Sequence, residues 1–182
     1  LKTLMDISEA EAETLNLYPT EISLQELIHE SVKQYDFMLE DKHLDLNLHL
    51  SEGLTILADA DRLSQALNNL VDNAIKYTPN GGSIDITTRD NDRSVHVLIK
   101  DNGIGIHPDD LDRIFERLYR ADKSRSTKGL GLGLSLVKAV LQAHGSEIKA
   151  LSEPDQGAEF HILFPKNFQK DTSLDWKSIG MG

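Results

Sequence analysis

Leu67-Asn68-Asn69-Leu70-Val71-Asp72-Asn73-Ala74-Ile75-Lys76-Tyr77-Thr78-Pro79 is the stretch on which the reading of the fold turns. Asparagine is a poor helix former, yet the apolar spacing here is helical. At about 100° per residue, Asn69, Asn73, Lys76 and Tyr77 share one face, while Leu63, Leu67, Leu70 and Ala74 share another. The apolar stripe needs a core. The amide stripe beside it needs a different reason. Amide oxygens are hard ligands of the kind Mg²⁺ takes alongside phosphate and water. Taken alone, the segment also reads as a solvated polar face.

Outward from this helix, strands and helices are interspersed without βαβ alternation. Leu44 to Leu50 alternates apolar and polar residues, so it predicts a strand with one buried face. Leu54 to Ala58, Ser83 to Arg89, Ser94 to Lys100, Ile148 to Ser152 and Ala158 to Phe164 are further predicted strands. Ser23 reads as an N-cap with Glu26 closing a capping box, and the helix behind it is expected to run to about Leu39. Asp59 or Asp61 is expected to start the asparagine helix. Short helices are expected between Pro108 and Phe115, and a longer one from the glycine run to His144-Gly145. These elements predict an α+β fold: a two-layer sandwich with one mixed, mostly antiparallel sheet covered on one face by helices.

The chain has 182 residues, 39% hydrophobic and 27% charged, with a formal net charge of −11. Such acidity argues against nucleic acid as a partner, because phosphate contacts need clustered Lys and Arg. A local pocket can still accept ATP. There are no cysteines, which removes disulfides, thiolate metal sites and cysteine nucleophiles. The seven histidines include no i, i+4 pair with an acid between them, and no Gly-x-Ser-x-Gly elbow is present. The absence of an apolar stretch long enough for a membrane span, and of a signal peptide, gives the expectation of a cytoplasmic location, and a start without Met inside a helical pattern gives the expectation of a piece of a longer chain. A membrane anchor of the parent protein would lie in segments not present in this sequence.

Two more segments carry chemistry. Asp101-Asn102-Gly103-Ile104-Gly105-Ile106 follows a strand, so its carboxylate could accept a hydrogen bond from an exocyclic amine such as the adenine N6. An ordinary Asn-Gly turn is the plainer alternative. Gly129-Leu130-Gly131-Leu132-Gly133-Leu134 opens a helix and would present backbone N–H groups to phosphate. It matches neither a Walker A loop nor the dinucleotide fingerprint, and a flexible hinge is the alternative. Arg120 to Lys128 between them is basic and low in apolar residues, which predicts a mobile segment.

These three segments, in this order, resemble the catalytic ATP-binding domain of sensor histidine kinases, within the ATPase superfamily that also takes in gyrase and MutL. The resemblance covers about Ser23 to Pro165. It implies a Bergerat-type fold with ATP held between helices and a mobile lid, and ATP and Mg²⁺ as cofactors. By position, Asn69 and Asn73 match the family's N box, with Asn73 as Mg²⁺ ligand, Lys76 near the phosphates and Tyr77 beside the adenine. Asp101 matches the adenine-reading aspartate, with Gly103, Gly105 and Ile106 shaping the base site. Phe115, Tyr119 and Arg120 match the F box, Arg120 to Lys128 the lid, and Gly129, Leu130, Gly131, Leu132 and Gly133 the triphosphate loop. Gly157 and Phe160 resemble the last strand motif. Leu118, Leu130, Lys128 and Asp155 depart from the usual residues at their positions.

The resemblance also implies organisation and partners. Residues 1–17 would end a dimerisation hairpin whose phosphoacceptor histidine is absent, residues 18–165 form the catalytic domain, and 166–182 form a tail without period. Partners would be that hairpin and the receiver domain of a response regulator, in a full-length homodimer. Hydrolases of the superfamily carry a glutamate at the position of Asn69, and an amide cannot take a proton. The expected activity is therefore phosphorylation of histidine, with Asn69, Lys76, Arg125 and Lys128 as candidate catalytic groups. A superfamily ATPase and a nucleotide-sensing module without transfer are the alternatives.

Overall fold

A computed structural model describes residues 16–91, 93–120, 130–166, 174 and 176–181. Residues 1–15 of the expected hairpin end and most of the expected lid lie outside the described residues. Strand β1 (Thr20–Ser23) leads into α1 (Leu24–Lys33). The Ser23 hydroxyl caps this helix by accepting the Glu26 N–H at 3.3 Å. Leu24, Leu27, Ile28 and Val32 recur on its inward face and are buried. The single helix expected to reach Leu39 is broken. The Tyr35 N–H reaches only to the Val32 carbonyl, and a second helix, α2 (Asp36–Asp41), resumes beyond it. The break coincides with side-chain anchoring. The Gln34 amide donates to Asn68 Oδ1 at 2.6 Å, and the Tyr35 hydroxyl to the Asn68 carbonyl at 3.1 Å. Continuing the helix would swing both groups away from Asn68.

Next come β2 (Asp45–His49), β3 (Thr55–Ala58) and the asparagine helix, α3 (Ala60–Tyr77). Asp59 is its N-cap, accepting the Arg62 N–H on Oδ1 at 3.1 Å and the Tyr18 N–H on Oδ2 at 2.9 Å. The remaining elements are β4 (Ser83–Asp90), β5 (Ser94–Asp101), α4 (Pro108–Leu111), α5 (Gly133–Ala143), β6 (Glu147–Ser152) and β7 (Ala158–Pro165). Five strands form one sheet in the order β2-β4-β5-β7-β6. The β2–β4 pair is parallel and the other three pairs are antiparallel. One expectation needs correction here. β3 does not join this sheet but pairs antiparallel with β1 in a separate ribbon. β1 was not predicted, because four residues beside an N-cap give too short a pattern to register.

Helices cover one face of the large sheet. Ile84 and Ile86 of β4, Val95, Val97 and Ile99 of β5, and Phe160, Ile162 and Phe164 of β7 form that face. They pack against Leu63, Leu67, Leu70 and Ala74 of α3 and against Leu136, Val137, Val140 and Leu141 of α5. Each such side chain contributes about 1.5–3 kcal/mol on burial. This burial fixes which face of α3 is inward, and so turns its amide stripe toward the end of the sheet.

The opposite sheet face holds a buried histidine pair. His96 and His161 stack with ring centroids 5.2 Å apart, and His96 Nε2 lies 3.1 Å from His161 Nδ1. His161 Nε2 in turn meets Glu159, which pairs with Lys100 at 2.7 Å. Within the expected C-terminal tail lies a 3₁₀ turn, Trp176–Ile179. The Trp176 indole N–H donates to the Glu147 carboxylate, and Lys149 lies 4.5 Å over its ring.

Burial, the His161 ring and Arg89 hold the His96 pKa down at about 4, from an ordinary 6.5. The folded state therefore resists a proton that the unfolded chain takes up, and stability is lost as pH falls from 6.5 toward 4. Replacing His96 by Gln should remove about 2–3 kcal/mol of the stability difference between pH 7.5 and pH 4.5. Urea unfolding at the two pH values measures this. Equal pH dependence in both proteins would mean that His96 is protonated without cost in the fold.

Candidate functional site

At the end of β5 the chain must turn under a buried carboxylate. Asp101 is only 5% exposed. Its Oδ1 accepts the Gly103 N–H at 2.8 Å and the Ala158 N–H at 3.3 Å. No group among the described residues donates to its Oδ2. Burial raises the Asp101 pKa above its ordinary value, and those two N–H groups work against the shift. The two glycines that follow serve packing. A Cβ on Gly103 would sit 2.4 Å from the Tyr77 carbonyl oxygen, and one on Gly105 2.0 Å from that of Glu153. Their absence lets the loop lie between the end of α3 and the β6–β7 turn. Ile104 N–H donates to the Tyr77 carbonyl at 3.2 Å, and Asp155 N–H to the Ile104 carbonyl at 2.9 Å. Gly103 is buried under Asp101 and does not line the open space, although the sequence placed it at the base site.

That open space is a cleft of about 1330 Å³. Asn69, Asn73, Lys76 and Tyr77 of α3 form one wall, as their shared helical face predicts. Asp101, Gly105 and Ile106 lie at the loop side, and Tyr119, Arg120, Leu130, Gly131, Leu132 and Gly133 form the opposite rim. Thirteen of the sequence-predicted site residues thus meet in one place. Arg125, Lys128 and Gly129 lie outside the described residues.

The amides differ in how they are held. Asn69 Nδ2 donates to the Gln65 carbonyl at 2.8 Å, one turn back, which fixes the side chain. Its Oδ1 would lie 2.8 Å from a Cβ at Gly133, so glycine there lets α5 start against this amide. Asn73 has no hydrogen-bond partner among the described residues, which leaves its amide oxygen available to a cation. Lys76 lies 5.2 Å from the centroid of the Tyr77 ring.

The N-terminus of α5 opens onto the cleft. No side chain caps it, and Leu132 at the N-cap position has no hydrogen-bonding side chain. Free N–H groups at such a terminus attract anions. Gly131 approaches it with φ +69°, and a Cβ there would be 2.7 Å from the Tyr119 carbonyl oxygen. Leu118, at φ +61°, donates its N–H to the Gly131 carbonyl at 2.9 Å. The Tyr119 hydroxyl donates to the Asp110 carboxylate, and Arg113 lies 4.2 Å over its ring.

Several lining residues were not foreseen. Gln65 and Asp72 come from α3, and spacing from Asn69 could have revealed them. His107, Asp109, Asp110, Arg113 and Ile114 come from the segment around α4, Pro154 from the β6–β7 turn and Ala158 from the start of β7. These carry no local motif and reach the cleft only through the tertiary fold. No group of three or more His, Asp or Glu residues poised for a metal occurs among the described residues.

A sheet with helices on one face, a buried aspartate at a strand end, an amide-lined helix and an uncapped helix N-terminus together define a nucleotide-binding domain. The sequence profile of the histidine kinase-, DNA gyrase B- and HSP90-like ATPases matches residues 58–167, and the chain belongs to this family. Within it, several relatives of this chain are named histidine kinases. The sensor-like histidine kinase SenX3 of Mycolicibacterium smegmatis is 35% identical over 147 residues, covering 80% of this chain and 38% of SenX3. The adaptive-response sensory kinase SasA of Synechococcus elongatus is 37% identical over 164 residues, covering 89% of this chain and 42% of SasA. The chain thus spans about two fifths of these curated relatives. Among solved structures, the catalytic domain of histidine kinase ThkA superposes with a TM-score of 0.76 at 31% identity, covering 85% of this chain and 99% of that one. Full-length ShkA in complex with AMPPNP superposes at 0.79 with 30% identity, covering 90% of this chain and 34% of that one. The fold and the ATP-binding, histidine-kinase class expected from the sequence are both borne out. No described helix is long and apolar enough to cross a membrane.

The glycines separate into two kinds by what a methyl group would strike. Gly105→Ala meets backbone and should cost about 3 kcal/mol or more in urea unfolding. Gly133→Ala meets only the Asn69 side chain and should cost less than about 1 kcal/mol, since Ala favours helix. Similar losses for the two would show that the Gly105 loop can yield.

Proposed function

We propose that this chain binds ATP with Mg²⁺ in the cleft and transfers the γ-phosphoryl group to a histidine on a helical hairpin upstream. A receiver-domain aspartate of a response regulator would then take the group in relay, in a homodimeric full-length protein. The observation that carries the reading is the Asp101 carboxylate. It is buried at the cleft with Oδ1 accepting two backbone N–H groups, while no group among the described residues donates to Oδ2, which is open to an exogenous donor. The adenine N6 amine is such a donor. Ile106 and Tyr77 would flank the base. The Gly131–Gly133 backbone and the N-terminus of α5 would hold the phosphates.

The residues present fit Mg²⁺, because the Asn73 amide oxygen is a hard donor that lines the cleft and has no hydrogen-bond partner among the described residues. When bound, the ion would neutralise phosphate charge. Lys76 and Arg120 line the same cleft and would add to that neutralisation, with Arg125 and Lys128 of the lid as further candidates. The acceptor imidazole nitrogen would use its own lone pair to form the P–N bond. The bond from the γ-phosphorus to the bridging oxygen breaks, and its electron pair leaves with ADP. A neutral imidazole attacks without first losing a proton, and its other ring N–H would then release its proton to water, which fits Asn69, an amide fixed to the Gln65 carbonyl and unable to accept a proton. Catalysis here would be mainly positioning and electrostatic stabilisation.

Two relatives support the reading. ThkA has been solved in complex with the response regulator protein TrrA, and that structure superposes on this chain with a TM-score of 0.74 at 27% identity, covering 93% of this chain and 49% of that one. ShkA was solved with AMPPNP.

Asn73→Ala should abolish Mg-ATP-dependent labelling of a partner hairpin while leaving the fold intact by circular dichroism. Labelling equal to that of the unmodified chain would remove Asn73 from the metal site. Asp101→Asn should weaken ATP by about tenfold or more in calorimetry, since a buried charge-assisted bond is lost. Unchanged affinity would exclude Asp101 as the reader of adenine.

A further inference from the structure

The cleft wall depends on the last turn of α3, and that turn ends in a way the helix itself does not provide for. The final four carbonyls of a helix have no intrahelical partner. In α3 these belong to Ala74, Ile75, Lys76 and Tyr77. Ala74 is served by Thr78, whose N–H and hydroxyl donate at 3.1 and 2.7 Å. Tyr77 is served by the Ile104 N–H from the loop beyond Asp101. The other two depend on one distant side chain. Lys42 Nζ donates to the Ile75 carbonyl at 2.6 Å, approaches that of Lys76 at 3.4 Å, and donates to the Thr78 carbonyl at 2.5 Å. Its own carbonyl accepts the Gly81 N–H at 2.9 Å, which ties the same residue to the turn after the helix.

We propose that Lys42 is a positioning residue for nucleotide binding. It touches no ligand. Its ammonium group fills the three donor demands at the C-terminus of α3, where a positive charge also complements the helix dipole. The turn it holds carries Lys76 and Tyr77 on the cleft wall, one turn beyond Asn73. The Tyr77 carbonyl is also the point where the Asp101 loop attaches. Without Lys42 the last turn of α3 loses its grip on that loop, and the two walls of the cleft lose their register. Neither a motif nor a helical period marks Lys42 in the sequence, because its partners lie more than thirty residues away.

The inference rests on ATP binding in this cleft but not on phosphoryl transfer, so the test reads binding alone. ATP affinity with Mg²⁺ is measured by calorimetry for the whole chain and for Lys42→Met and Lys42→Arg, with amide hydrogen exchange in each. Lys42→Met should bind ATP about tenfold more weakly, since hydrogen bonds to a charged group are lost. Exchange should rise at Lys76, Tyr77, Thr78 and Ile104 while the amides of β5 and β7 stay protected. Lys42→Arg should recover most of the affinity and the protection. If Lys42→Met proves unfolded at 25 °C, Lys42→Gln serves in its place, keeping a donor without the charge. Wild-type affinity and protection in the Met variant would overturn the proposal. So would weakened binding with exchange raised evenly over the domain, which is the mark of a general stability loss. Failure of the unmodified chain to bind ATP would instead refute the reading of the cleft itself.

Discussion

Burial of the Asp101 carboxyl group is the constraint from which the architecture of the cleft follows. A carboxylate removed from water costs several kcal/mol unless hydrogen bonds replace its hydration. The chain supplies two, from Gly103 and Ala158, both to one oxygen. To bring those donors in, three stretches of backbone must approach to distances no side chain would allow. Gly103 lies against the Tyr77 carbonyl, Gly105 against that of Glu153, and Gly157 so close to Asp101 that a Cβ would stand 1.9 Å from its carbonyl oxygen. The end of α3, the β5 loop and the β6–β7 turn are thereby fixed to one another. A protein seeking only stability would replace the acid with an apolar residue. Its incomplete satisfaction makes sense if a ligand supplies the missing donor.

Much of this was legible in the sequence, for physical reasons. The asparagine helix could be read because its apolar stripe is continuous over 18 residues and its amides stand beside that stripe at helical spacing. β2, β4 and β6 were legible because one face of each is the more buried, which writes a period of two, whereas β5 and β7 are buried on both faces and read as apolar runs. Asp101 and the glycine loops could be recognised because close backbone approach admits glycine alone, and that requirement marks the sequence directly.

What escaped had no such imprint. β1 is too short to show a period, and its pairing with β3 depends on a partner some thirty residues away. The break at Gln34-Tyr35 coincides with hydrogen bonds to Asn68, a partner that local propensity cannot register. Trp176 was read as part of a tail, yet its ring and indole N–H find Lys149 and Glu147 on β6. The residues around α4 that line the cleft, Arg113 among them, are ordinary surface residues by composition. Tertiary contact alone gives them a place at the site.

In the proposed function, Asn69 would separate this site from a hydrolase site of similar shape, because the wall position nearest Gly133 carries an amide and not a carboxylate. The most direct test of the account is therefore how the γ-phosphoryl group of labelled ATP is partitioned. The whole chain is mixed with a purified phosphoacceptor hairpin and Mg²⁺, and the label is followed on protein and as free phosphate. The account predicts acid-labile, base-stable label on the hairpin histidine and little phosphate release by the chain alone. Rapid phosphate release without the hairpin, and an unlabelled hairpin in its presence, would contradict it.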